Sequence, residues 1–314
     1  MNNYIFGPVP SRRLGRSLGV DLVPFKTCSY DCIYCQLGRT TCKTTERKEW
    51  VPLDAVLGEL ECKLALRPDY ITLSGSGEPT LYSRLDELID RIKSMTDIPV
   101  AVLTNGSLLW QKKVQQQLVR ADLVMPSLDV GNQTAFHLVN RPHESINFEQ
   151  MLSGLIAFRQ CYRGQYWLEV LLVGAFTDFG QEVAAIRVCV SRIQPDRMLL
   201  GTVTRPPAEE CAIAVPHDRL MELAATFSPQ AEVLQEYHAP DAAQTVSTSR
   251  EDILGLLARR PCSIDAIATG LQMHKVEVIK HIETLMAEGL IETRACGQEQ
   301  VYLLSHKSKK GTLS

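Results

Sequence analysis

The stretch "FKTCSYDCIYCQLGR", residues 25–39, places Cys28, Cys32 and Cys35 within eight residues. A C-x3-C-x2-C spacing is too tight for the usual structural zinc site, which takes four ligands, commonly as two separated pairs. No second C-x-x-C pair follows in the chain. Three thiolates from one loop suit a [4Fe–4S] cluster whose fourth iron has no protein ligand, the counterpart of a catalytic metal with an open position. The residues alone leave two alternatives open: a loop of unrelated cysteines, or a zinc knuckle completed by Cys42.

Around this loop, short apolar runs rich in β-branched residues alternate with longer amphipathic stretches. "SLGVDLV", "YITLSG", "VAVLTNG", "DLVMPSLD", "YWLEVLLVG" and "DRMLLGTV" read as strands; "DAVLGELECKLAL", "RLDELIDRIKSM", "KKVQQQLVR", "FEQMLSGLIAFRQ" and "EVAAIRVCVSRI" read as the helices between them. Six β-α units imply a parallel sheet, either open and doubly wound or curled into a full or partial barrel. Both forms carry functional residues on loops at the C-terminal ends of strands. The cysteines follow the first strand, "SGSGEPT" the second, "TNGS" the third and "SLDVGN" the fourth.

After residue 237 the pattern changes. Residues 238–249, "HAPDAAQTVSTS", are small and polar and read as a linker. Three helical runs and two strand-like runs around a Gly turn then read as a winged helix over 250–305, and residues 306–314 as a flexible basic tail. From Thr248 to Ser305 there are six Lys/Arg against eight Asp/Glu, where a DNA-binding module normally shows a clear basic face. The charge gives nucleic-acid binding no support here, and protein contact, dimerisation or covering the barrel mouth is an equal expectation.

The 314 residues are 45% hydrophobic and 22% charged, enough for a full core. No segment approaches the roughly 20 apolar residues a membrane helix needs, and no secretory signal is visible, so the expected location is cytoplasmic. Ten cysteines in a reducing compartment are thiols or metal ligands rather than a disulfide framework. Cys62, Cys161, Cys189, Cys262 and Cys296 lie in helix-like or strand-like runs and read as small buried residues; Cys42 and Cys211 lie in loops. The net charge of −3 exerts no overall pull on anions, yet residues 1–50 carry eight Lys/Arg against four Asp/Glu.

The cysteine spacing, with Tyr34 just before the last cysteine, resembles the signature loop of the radical S-adenosylmethionine (SAM) superfamily, and the likeness extends over about residues 5–237. That resemblance implies an α/β fold: a partial (β/α)6 TIM-like barrel over 1–237, with the second, smaller winged-helix domain beyond it. It implies a [4Fe–4S] cluster on Cys28, Cys32 and Cys35, and SAM chelating the open iron through its amino and carboxylate groups. One electron then releases a 5′-deoxyadenosyl radical. An external donor of flavodoxin or ferredoxin type is the implied partner. By the same likeness Ser76, Gly77 and Glu78 meet the methionine ammonium, Thr104 and Asn105 the ribose or carboxylate, Ser127 and Asp129 the ribose hydroxyls, and the backbone near Leu172 and Val173 the adenine. Turn chemistry is the plain reading of the Asn-Gly pair and helix capping that of Asp129.

Within the superfamily, "FGPVPSRRLGRSLGVDLVPFKTCSYDCIYCQLG", "NRPHESINFEQMLSGL" and "TRPPAEE" resemble a wyosine-synthase-related group. Wyosine synthases hold a second cluster on cysteines upstream of the signature, and this chain has none before Cys28, so the likeness speaks of ancestry. Arg12, Arg13 and Arg16 are either a solvated basic face or, with Arg205 after the sixth strand, anchors for an anionic substrate, since a guanidinium binds carboxylate or phosphate in bidentate fashion. Nucleoside or tRNA, peptide and metabolite substrates all stay open. Two function classes compete: an enzyme that cleaves SAM reductively, and an iron-sulfur sensor that regulates through its winged helix. The Glu78 loop favours the enzyme, because a sensor needs a cluster without a SAM pocket.

Overall fold

The structure, a computed structural model, describes residues 4–234, 250–271, 273–296 and 299–305. The linker and tail expected over 238–249 and 306–314 lie outside the described residues. The chain opens with a hairpin, β1 (Ile5–Ser11) and β2 (Gly15–Val20), followed by two short paired segments, β3 (Thr27–Cys28) and β4 (Cys42–Lys43). Helices then alternate with strands: α1 (Leu53–Lys63), β5 (Tyr70–Leu73), α2 (Leu85–Met95), β6 (Val100–Thr104), α3 (Lys112–Leu118), β7 (Leu123–Pro126), α4 (Gln133–Ala135), α5 (Phe148–Cys161), β8 (Gln165–Leu172), α6 (Gly180–Ile193), β9 (Arg197–Thr202), α7 (His217–Ala224) and β10 (Glu232–Val233).

The sheet runs β1-β2-β5-β6-β7-β8-β9-β10, parallel throughout except for β1 against β2. It is the expected partial barrel, and all six expected strands and five expected helices are present. Both faces of the sheet are covered, which is why its strands are apolar almost throughout. One face meets the helices: Val100, Val102, Val124, Leu168, Val170 and Leu200 pack with α1, α2, α5 and α6 in the main core. Their strand neighbours Ala101, Leu123, Met125, Trp167 and Leu199 form a separate cluster inside the barrel, plugged by Leu14 from the β1–β2 turn.

β1 is an addition to the expected strand set. Pro8 and Pro10 argue against a strand, but at a sheet edge the missing N–H groups cost little. Arg12 and Arg13 therefore sit in a hairpin turn, and Arg16 lies within β2, its guanidinium bonded to the carbonyls of Arg67 and Leu66 at 3.2 and 3.1 Å. That carbonyl pair gives Arg16 a structural role, apart from the expected basic face.

Beyond residue 249 come α8 (Arg250–Arg259), α9 (Ile264–Leu271), α10 (Lys275–Ala287) and an antiparallel pair, β11 (Ile291–Cys296) and β12 (Glu299–Leu304). This unit shares its core with the hairpin: Phe6 and Val9 of β1 pack with Ile253, Leu256, Ile267 and Leu271. α9 reaches β1 closely at Gly270, where an added Cβ would lie 2.5 Å from the Pro10 ring.

Two cysteine expectations are corrected. Cys189 and Cys262 are buried, but Cys62 and Cys161 are exposed. The buried face of α1 is Leu53, Val56, Leu57 and Leu60, which leaves position 62 on the outer side; Cys161 ends α5 where the helix leaves the core. The side chain of Cys296 lies outside the described residues.

Candidate active site

The expected loops converge at the C-terminal ends of the strands. Gly77 forces the closest approach: a Cβ there would lie 1.8 Å from the carbonyl oxygen of Thr27, so only glycine lets the "SGSGE" loop lie against the backbone leading into Cys28. Lys26 N donates to Ser76 O at 2.7 Å and Glu78 N to Thr27 O at 3.2 Å, pinning the two loops together.

Cys28, Cys32 and Cys35 are free thiols of intermediate exposure. Each sulfur receives a side-chain N–H donor from a different element, Asn105 Nδ2 on Cys28 at 3.6 Å, Asn140 Nδ2 on Cys32 at 3.6 Å and Lys26 Nζ on Cys35 at 3.1 Å, and the Tyr30 backbone adds a second on Cys28. Burial first, then the charge of Glu78, pushes the Cys28 thiol up to about 12; burial, Cys28 and Asp129 push Cys32 up as well. The pocket gathers three thiols, two buried carboxylates and one buried lysine, so as it stands it resists ionising Cys28 and Cys32. A positive centre would reverse that, as metal binding to thiolates does. Among the described residues no three His, Cys, Asp or Glu side chains converge on one point, as a mononuclear ion would require. A cluster instead takes each thiolate on its own iron, and three thiols with an N–H donor apiece fit that demand.

Glu78 is buried, and its carboxylate is heavily used. Oε1 accepts from Thr80 N at 3.0 Å and from the hydroxyls of Thr80 and Thr104, both at 2.6 Å; Oε2 accepts from Asn105 N at 2.7 Å. Burial raises its pKa and these four bonds pull it back. Ser76 turns toward Asp21, which accepts from Ser76 N at 3.0 Å and from its hydroxyl. Asn105 bonds Ser29 Oγ at 2.8 Å and, in the expected Asn-Gly turn, accepts from Ser107 N at 2.9 Å.

Asp129 braces the cysteine loop. It accepts from Tyr34 Oη, from Asn140 Nδ2 at 2.9 Å and from Leu171 N at 3.0 Å, and burial still lifts it to about 6. Ser127 is half-buried beside Glu169, its hydroxyl bonded to nothing among the described residues. Arg13 pairs with Glu169 and touches Met125 Sδ at 3.8 Å, inside the barrel. Arg205 lies beside the cysteine loop, its Nη1 2.6 Å from Gln36 Oε1. Cys42 and Cys211 are exposed.

Lys26, Asn140, Asp21 and Gln36 were not anticipated. Asn140 ends a π-helical turn, Phe136–Asn140, before left-handed Arg141, and such turns mark functional sites often enough to be a signal. Lys26 had only its place two residues before the first cysteine.

A family model described as the Radical SAM superfamily matches residues 22–183, just over half of the chain. Among curated proteins, the chain is 41% identical over 294 residues to a Brachyspira hyodysenteriae protein named GTPase Obg, covering 91% of this chain and 43% of that protein. It is 34% identical over 304 residues to a UPF0026 protein of Helicobacter pylori, covering 95% and 96%. This chain thus spans less than half the length of the Brachyspira relative and nearly all of the Helicobacter one. Among solved structures, a radical SAM methyltransferase from Sphaerobacter thermophilus aligns with a TM-score of 0.52 at 13% identity, covering 69% of this chain and 66% of that one. Streptococcus suis SuiB bound to S-adenosylmethionine aligns at 0.51 and 13%, covering 67% and 49%. At such identities these two show the fold alone, and with the family match the conclusion is that this chain belongs to the radical SAM superfamily.

Proposed function

We propose that the protein is a radical SAM enzyme that holds a [4Fe–4S] cluster through Cys28, Cys32 and Cys35 and binds S-adenosylmethionine beside it. When bound, the cluster supplies the electron that breaks a carbon–sulfur bond of SAM, giving a 5′-deoxyadenosyl radical that takes hydrogen from the substrate. The observation that carries this reading is the trio of thiols, each with its own N–H donor, against a loop that Gly77 alone allows to come so close.

The chain's own residues prepare the cofactor's place. Glu78 Oε2 accepts one bond and keeps room for the methionine ammonium, a charge-assisted contact. Thr104 and Asn105 hold that carboxylate, and Ser127 offers its hydroxyl to the ribose. Asp129 positions Tyr34, the residue before Cys35. Arg13 and Arg205 face an anionic substrate. The electron comes from outside, from a flavodoxin- or ferredoxin-type protein.

The three helices and hairpin after residue 249 have the element order of a winged helix. Their acid-leaning charge and their shared core with β1 favour a part in the enzyme over a DNA-binding regulator. The test is anaerobic reconstitution followed by a strong reductant: 5′-deoxyadenosine should accumulate with the parent protein and be absent with Cys32→Ala. Equal release from both would refute the reading.

A further inference from the structure

Four half-buried arginines gather between the β1–β2 turn, the loop after β9 and the end of α8. Arg12 and Arg13 come from the β1–β2 turn, Arg205 from the loop after β9, and Arg260 from the end of α8. Arg12 Nη1 donates to Thr204 Oγ1 at 3.0 Å, tying the hairpin to the loop 192 residues away. Arg260 Nη1 donates to Pro10 O at 3.2 Å, two residues before Arg12, and its Nε to Cys262 Sγ at 3.2 Å.

Two of the four, Arg205 and Arg260, lack a matching carboxylate among the described residues. Arg13 has Glu169, but its Nε is buried with no hydrogen-bond partner. Among the described residues Arg205 bonds only a neutral amide, and Arg260 bonds a carbonyl and a thiol rather than a carboxylate. Elsewhere the arginines are matched: at the start of β9, Arg159 pairs with Asp196 and Arg197 with Glu232. Burial, then the charge of Arg260 ahead of Arg12 and Arg13, lowers Arg205 to about 9, which still leaves it charged at neutral pH. Like charges gathered out of water call for an anion.

We propose that Arg205 and Arg260, flanked by Arg12 and Arg13, form a phosphate-binding site built jointly by the barrel and the C-terminal helices, and that it holds a phosphoryl group of the substrate. This rests on the enzyme reading above and adds the substrate class. Two uncompensated cations match a phosphate dianion, where a carboxylate would leave one unanswered. The guanidiniums sit in a seam between three segments rather than along an exposed face, and the C-terminal unit leans acidic, so a small phosphorylated molecule fits better than an RNA strand. The C-terminal unit becomes part of the substrate site.

Pyrophosphate is the probe, titrated calorimetrically into the full-length, iron-free protein at constant ionic strength. Binding is expected, weakened at least tenfold by Arg205→Ala and by Arg260→Ala, partly restored in Arg205→Lys, and unchanged by Lys280→Ala on α10. A short single-stranded RNA should not displace it. Equal affinity in both alanine variants, an equal loss in Lys280→Ala, or tighter salt-sensitive binding of RNA overturns the proposal. Because this readout needs no iron, its failure beside intact SAM cleavage would strike only this inference, and the reverse result only the enzyme reading.

Discussion

Arg259 on α8 donates through Nε to Asp21 at 3.1 Å, and Asp21 in turn holds Ser76, two residues before Glu78. The C-terminal helices are thereby fastened to the loop that lies on the cysteines. Both side chains are nearly buried, at 11% and 8% exposure, so removing one takes from the other the opposite charge beside it. Arg259→Met should cost about 3 kcal/mol, the range for breaking a buried pair. Adding Asp21→Asn should recover much of it. Urea unfolding of both single variants and the double variant measures the coupling; additive losses would show that the pair does not act as a unit.

Gly77→Ala should uncouple fold from site. The new methyl meets the Thr27 carbonyl, backbone that cannot swing aside, so the cysteine loop has to move. Reconstituted iron is expected to fall to a small fraction of the parent's. Gly58→Ala on exposed α1, where a Cβ meets nothing within 4 Å, should keep its iron and gain about 0.5–1 kcal/mol. Full iron loading in Gly77→Ala would remove the close approach from the account.

In Glu78→Gln one carboxylate oxygen becomes an NH2 group facing a donor, whichever way the amide turns, because Thr80, Thr104 and Asn105 donate to both oxygens. A buried unsatisfied polar group of this kind costs about 1–3 kcal/mol. SAM should bind more weakly while the cluster's absorption persists. Unchanged SAM affinity would take Glu78 out of the cofactor site.

Asp129 carries a pH signature. Its folded-state value near 6 lies above the ordinary carboxylate range, so between about pH 4 and pH 6 the folded chain binds more protons than the unfolded one. The stability from this group is present at low pH and is lost as pH rises through that window. Asp129→Asn abolishes the loss, so the metal-free variant should gain on the parent from pH 4 to pH 7 in urea midpoints. A difference that stays flat with pH would contradict the assignment.

The strands were legible as short apolar runs rich in β-branched residues, as in Val100–Val102, and the helices because their apolar residues keep a period of 3.6, as in Leu85–Ile92. The site loops were legible because parallel strands end on one side. β1 was hidden by Pro8 and Pro10, whose cost depends on a sheet edge that the local pattern cannot reveal. Asn140 lies 108 residues from Cys32, and Arg259 lies 238 from Asp21; such pairs are made by topology and leave no local periodicity. Cys62 and Cys161 were misplaced because a run's average character was read in place of its faces.

The central claim is that Cys28, Cys32 and Cys35 hold a cluster with one iron left open to SAM. It is tested most directly by electron paramagnetic resonance of the reduced, reconstituted protein with and without SAM, alongside iron and sulfide analysis of the Cys28→Ala/Cys32→Ala/Cys35→Ala variant. The account predicts ~4 iron per parent chain, a signal that changes when SAM is added, and loss of both in the triple variant. Iron near a full cluster's worth in the triple variant, or a parent signal indifferent to SAM, would contradict it.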